Sequence, residues 1–173
     1  FLKLAADEPH AFLLESAEKE ERIGRYSFLG FKPETVLKST GRKNLLLKMR
    51  EKLSGCQLAN PDGLPGFSGG YVGFFSYEVI RFFEKIDLRN KKGGFKNEAV
   101  FFLVKEFLLF DHFRKSISAV VLCAIKQKKE TELRRVYQEG IERIAALEKR
   151  LMRGNVFRKS GGTTQKRYRF ASN

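Results

Sequence analysis

An α+β domain, with a largely antiparallel sheet flanked by helices, is the fold this sequence predicts, and three patterns carry the prediction. Two short apolar runs, Ala11 to Glu15 and Tyr26 to Phe31, flank a charged, Glu-rich connection from Glu18 to Arg22, the arrangement of an antiparallel strand pair. Two longer apolar stretches, Glu98 to Phe110 and Ser116 to Ile125, meet at Asp111-His112-Phe113-Arg114, a connection short enough for a hairpin. From Thr131 onward Leu133, Val136, Tyr137, Ile141, Ile144, Leu147 and Leu151 recur every three or four residues. That is the period of an amphipathic helix with one buried stripe.

The remaining elements follow from local chemistry. Pro33 has no amide to donate to a ladder, so the second strand ends there, and Val36-Leu37 resumes as a short strand toward Gly41. Asn44 caps a helix in which Leu46, Met49 and Leu53 keep helical spacing, Gly55 stops it, and its apolar side covers the sheet. Asn60-Pro61-Asp62-Gly63 and Leu64-Pro65-Gly66 are turn sequences leading into Gly69-Gly70-Tyr71-Val72-Gly73-Phe74-Phe75. Small residues ahead of aromatic ones predict a strand pressed against another backbone, running into a short helix from about Tyr77 to Phe83. A phosphate-binding loop is the competing reading of these glycines, but neither a Gly-Lys-Ser/Thr ending nor a full Gly-x-Gly-x-x-Gly fingerprint is present. Lys85 to Asn97 is a polar linker. On the last helix Glu130 with Arg134 and Glu139 with Arg143 stand one turn apart, worth at most about 0.5 kcal/mol each. Gly154 ends that helix, so the domain spans 1–154 and the basic residues 155–173 form a linker of low expected order.

Composition excludes several classes. With 42% hydrophobic residues and 17 Phe, the chain can build a real core, which argues against disorder throughout. Its apolar stretches are broken by Lys105 and Glu106 or fall well short of the ~20 residues a membrane span needs. Phe1-Leu2-Lys3 has neither a basic leader nor a signal-type apolar segment, so the expected location is cytoplasmic. Cys56 and Cys123 lie far apart, without Cys-x-x-Cys spacing or a His cluster, and read as reduced, buried small hydrophobes. The net charge of +14 would attract polyanions, yet the basic residues are scattered over Arg42-Lys43, Lys91-Lys92, Lys126 to Lys129 and the tail. That distribution reads as a solvated surface; a basic nucleic-acid module remains the remote alternative. Asp111-His112 suggests a general base, but no nucleophile stands at a recognised spacing, so Asp111 is read as a turn former with His112 bonded locally.

One segment points to a ligand. The apolar run Phe12-Leu13-Leu14 ends abruptly in Glu15 and Ser16, a carboxylate and a hydroxyl at the mouth of a strand, where an amino acid could be held or where a loop merely begins. Leu13-Leu14-Glu15-Ser16, with Arg25-Tyr26-Ser27-Phe28-Leu29-Gly30 beyond the charged connection, resembles the N-terminal domain of anthranilate synthase component I. Gly73 to Arg81 is similar to that family's glycine-rich segment, with Ser76 in place of a glycine and Glu78 in place of an aspartate. Phe110-Asp111-His112 matches one of its strand ends.

The resemblance implies feedback inhibition in the tryptophan biosynthesis pathway. Ser16 would contact bound L-tryptophan, Glu15 would stand beside it, and Arg25 and Tyr26 would lie close by. It also implies that chorismate and Mg²⁺ are bound by a separate catalytic domain, absent from this chain, and that a glutamine amidotransferase component II is a further partner. The chain would then be the front part of a lyase, regulatory and scaffolding, holding no cofactor and not catalytic alone. Aminodeoxychorismate synthase component I, which shares the architecture, is the near alternative.

Overall fold

The computed structural model describes residues 1–5, 7–15, 24–39, 44–59, 66–82, 84–85 and 99–153 of the 173. In chain order these form α1 (Leu2–Ala5), β1 (Ala11–Leu14), β2 (Tyr26–Phe31), β3 (Thr35–Ser39), α2 (Asn44–Ser54) and β4 (Gly70–Phe75). A 3-10 helix (Tyr77–Phe82), β5 (Ala99–Val104), β6 (Glu106–Asp111), β7 (Ser116–Val121) and α3 (Glu130–Met152) follow. The mixed helix and antiparallel-sheet class expected from the sequence is what the chain adopts. Of the expected linker Lys85 to Asn97 all but Lys85, of the turn sequences Asn60 to Gly66 all but Gly66, and the tail 155–173 lie outside the described residues.

The strands divide into two sheets, ordered β1-β2-β6-β7 and β3-β5-β4, and every pairing is antiparallel. The division corrects the expectation of one strand from Glu98 to Phe110. The run breaks at Lys105, whose ammonium pairs with Glu34 at 2.6 Å and whose carbonyl accepts from the Leu122 amide at 2.7 Å. Residues before Lys105 enter the three-stranded sheet and residues after it enter the four-stranded one.

Side chains that alternate along these strands fill three layers. Leu29 and Leu108 face Leu4 and Ala5 of α1 and Leu147 of α3. On the opposite side of the same sheet, Phe107, Leu109 and Val120 meet Val104, Phe102 and Val72 of the second sheet, with Phe67 between. Ala99 and Phe101 then face outward from the second sheet onto Leu45 and Met49 of α2. Helices therefore cover both outer faces of a two-sheet sandwich, and burial of alternate residues on both sides of β5 and β6 is the reason their sequences read as nearly continuous apolar runs.

Glycine at position 73 makes the β4–β5 approach possible, as the sequence anticipated. An added Cβ there would overlap the Val100 carbonyl oxygen and stand 2.7 Å from Phe101 Cα. Gly30 has a related role in β2, because the ring of Phe12, its partner across the ladder, lies directly over it.

Several local expectations are corrected. Leu45 and Met49, not Leu46 and Leu53, form the inward side of α2, since Leu46 and Leu53 are exposed; the Asn44 side chain lies outside the described residues. On α3 the buried residues are Val136, Gly140 and Leu147, whereas Leu133, Tyr137 and Ile141 face solvent. Gly140 lets the helix approach Cys123, and that contact rotates the buried stripe away from Tyr137. Glu130 does pair with Arg134, at 2.7 Å, but Arg143 leaves its helix to bind Glu106, and Glu139 takes Arg135 instead. Cys56 is exposed just past α2, so it is no core residue, and Cys123 is partly buried. The predicted short helix after β4 is a 3-10 helix ending at Phe82, with Phe83 outside the described residues.

In the last turn of α3, Arg150 reaches back over the Phe31 ring, 4.4 Å from its centroid, to the Leu4 carbonyl and the Glu8 carboxylate. The hydrogen bond from Arg150 holds Glu8 below the usual carboxylate range against the opposing effect of desolvation. This clasp ties α1, β2 and α3 together.

Candidate functional site

Pairing of β1 with β2 brings the two candidate segments to one end of the four-stranded sheet. Leu14 faces Phe28, so Glu15, one residue on, stands at the start of β2, where Tyr26 in turn pairs with Asp111 of β6. Glu15 is exposed, and Ser16 lies outside the described residues. The strand that delivers them is not a buried one. β1 is an edge strand whose Leu13 and Leu14 are 40% and 39% exposed, because neither sheet nor helix among the described residues covers that end.

Arg25 and Asp111 form the most connected polar group here. The Arg25 Nη2 donates to Oδ2 of Asp111 at 2.8 Å, and Nε reaches both carboxylate oxygens at 3.2 Å. Oδ1 also accepts from the amides of Phe113 and Arg114, at 3.1 and 2.9 Å, so Asp111 shapes the β6–β7 turn as the sequence predicted. The guanidinium lies 4.9 Å from the ring centroid of Tyr26 and 5.5 Å from that of Phe113. His112 is not bonded locally: its Nε2 is 2.6 Å from Oγ of buried Ser27 on β2, while its amide donates to the Arg25 carbonyl at 2.9 Å. Of the sequence-predicted residues, the fold thus gathers Glu15, Arg25 and Tyr26 at one sheet end. Two nitrogens of Arg25 are engaged in holding the neighbouring turn.

The hydrogen bonds from Arg25, reinforced by the two amides, hold the Asp111 carboxyl down to about 2 despite partial desolvation. The folded state therefore binds this proton less readily than the unfolded chain, whose Asp titrates near ~3.9. The stability Asp111 lends is complete above that value and is lost as pH falls from about 4 through about 2. In Asp111→Asn the acid limb of a stability-versus-pH curve is expected to be flatter over this interval; a wild-type slope there would remove Asp111 as its source.

Sequence reasoning missed the partners of Arg25 and Ser27, which come from 86 and 85 residues away and become visible only once β2 is known to pair with β6. It also missed a cleft of about 200 Å³ at the seam of the two sheets. Among the described residues no three His, Cys, Asp or Glu side chains converge on a common point. No helix among the described residues is long and apolar enough to cross a membrane.

A family model described as chorismate binding enzyme matches residues 9–169. The probable anthranilate synthase component 1 of Schizosaccharomyces pombe is 32% identical over 154 residues, covering 87% of this chain and 30% of that protein. Anthranilate synthase component 1 of Streptomyces coelicolor is 30% identical over 153 residues, covering 88% and 28%. The solved anthranilate synthase component I of Streptococcus pneumoniae superposes with a TM-score of 0.48 at 21% identity, over 83% of this chain and 34% of that one. The chain thus spans less than a third of the length of the two curated relatives.

Proposed function

The chain belongs to the chorismate binding enzyme family, and from that premise we propose that it is the front, effector-binding part of an anthranilate synthase component I, with L-tryptophan held at Glu15 and Ser16. The observation that carries this reading is the similarity to anthranilate synthase components over nearly nine-tenths of the chain, within a family match that includes Leu13 to Ser16. The same relatives favour the anthranilate branch over aminodeoxychorismate synthase.

The geometry at the sheet end supports a pocket wall. The exposed carboxylate of Glu15 accepts from the ligand's ammonium, and the Ser16 hydroxyl serves either end of the amino acid. Tyr26 and the Arg25 guanidinium stacked near it offer a flat surface, and Asp111 and His112 fix that surface by anchoring Arg25 and Ser27. Arg25 acts first as a positioning residue, since its Nε and Nη2 already face Asp111.

The rest of the pocket comes from protein beyond this chain, the chorismate-binding catalytic domain, against which the exposed Leu13 and Leu14 pack. The glutamine amidotransferase component is the further partner. Acid-base and metal chemistry on chorismate belong to the catalytic domain, so this chain alone does not turn over chorismate. Tryptophan bound at Glu15 and Ser16 lowers activity only by binding one arrangement of the two domains better than another, with a coupling typically of ~1–3 kcal/mol.

In a complete component I carrying this segment at its front, Ser16→Phe is expected to raise the tryptophan concentration needed for half-inhibition by roughly 5- to 150-fold. Uninhibited turnover should stay near wild type. Inhibition unchanged by the substitution would remove Ser16 from the effector site.

A further inference from the structure

We propose that the cleft at the seam of the two sheets is a second binding site, separate from the Glu15 end of β1, for a small monocarboxylate carrying one aromatic or alicyclic ring. The cleft opens where the chain steps from β5 to β6 at Lys105, between the β2–β3 connection and α3. Its volume of about 200 Å³ is roughly seven waters' worth of space. That accommodates a single six-membered ring with its carboxylate.

The lining has two chemical parts. Phe12, Phe31 and Val104 give an apolar floor, and the glycine at position 30 is what lets the Phe12 ring lie down against β2 and form it. Around the rim stand three cations, Lys32, Lys105 and Arg143, against two carboxylates, Glu34 and Glu106. Each carboxylate is already matched, Glu34 by Lys105 at 2.6 Å and Glu106 by Arg143 Nε at 2.6 Å.

Donors are left over. Arg143 directs Nε and Nη2 to a single oxygen of Glu106, and its Nη1 faces Cys123 Sγ at 3.9 Å, a weak partner. Lys32 is ion-paired with Glu8 at 3.6 Å, a longer contact than Arg150 makes to the same carboxylate, and its side chain is largely exposed, so the ammonium keeps N–H donors to spare. Lys32 also holds φ at 50°, a conformation non-glycine residues seldom adopt, in the kind of strained position that clusters at ligand-holding sites. A ring on the floor with a carboxylate at the rim satisfies both the apolar surface and the surplus cationic donors. A cationic ligand of the same shape would meet like charge.

The test is a titration of the 173-residue chain with benzoate, followed on its backbone amide resonances. Saturable shifts at Lys32, Lys105 and Glu106 are expected, with the same pattern from cyclohexanecarboxylate and none from benzylamine. Lys105→Gln should weaken benzoate binding at least fivefold; should that variant not fold, Lys32→Gln, altered at a largely exposed side chain, carries the same expectation. Shifts that do not saturate, an equal response to benzylamine, binding unaffected by these substitutions, or displacement of benzoate by L-tryptophan would each overturn the proposal. The last outcome would leave the effector reading of Glu15 and Ser16 standing, because it would merge the two sites at that end.

Discussion

Phe107→Ala is expected to remove about 3–5 kcal/mol of folding stability, the range for deleting a large aromatic side chain from a closed core. Phe107 is 1% exposed, and its ring stands 5.0 Å from that of Phe67 and 6.2 Å from that of Phe28, in the layer where the two sheets meet. The Phe28 ring is held on β2 and cannot follow into the vacated space, which is why a cost in this range applies. Urea unfolding of the wild type and the variant would measure the difference. A loss below about 1 kcal/mol, smaller than core truncations give, would show that the sheets are not joined through this ring.

Gly73→Ala should be nearly as damaging, by about 2–3 kcal/mol, because the new methyl meets backbone, which cannot swing aside, as well as the Phe101 ring. It would overlap the Val100 carbonyl oxygen and crowd Phe101 Cα, so relief requires β4 to move away from β5. Hydrogen exchange should accordingly quicken at the β4 and β5 amides while those of β2 and β6 keep their protection. Gly55→Ala is the control. Nothing lies within 4 Å of a Cβ at that position, so the substitution should be close to neutral. If the two variants were equally stable, the close approach of β4 to β5 would not be what glycine provides.

These two positions belong to different layers of one arrangement, and the candidate sites depend on both. Phe107 holds the four-stranded sheet, whose end carries Glu15, Arg25 and Tyr26, against the three-stranded sheet. The seam cleft exists because Lys105 divides what would otherwise be one strand. A destabilised interface between the sheets should therefore loosen the cleft before it disturbs the Arg25–Asp111 contact, which lies within one sheet.

Most elements were readable from local pattern, though α1 and the division of β5 from β6 were not. Alternation and apolar runs marked the strands, three-and-four spacing marked α3, Asp111 marked its turn, and Gly73 marked a close backbone approach. The segment Leu13 to Ser16 stood out for a different reason: its resemblance to one family does not depend on knowing where the strands pair. Each of these signals lives within a few residues of chain, where propensity and side-chain chemistry act directly.

What could not be read depends on which distant segments meet. Lys105 looks like an interruption in a strand until two sheets are seen to compete for the residues on either side of it. Tyr137 keeps perfect helical spacing with buried residues and is still 70% exposed, because contact with Cys123 at Gly140 sets the rotation of α3. Arg25 is an unattached cation in sequence and a bonded one in the fold, its carboxylate arriving from 86 residues away through the β2–β6 ladder. Local pattern determines that a residue can be buried or paired; the partner is settled by packing between layers, where burial on one face of an element is exchanged against burial on another and no short window of sequence records the outcome.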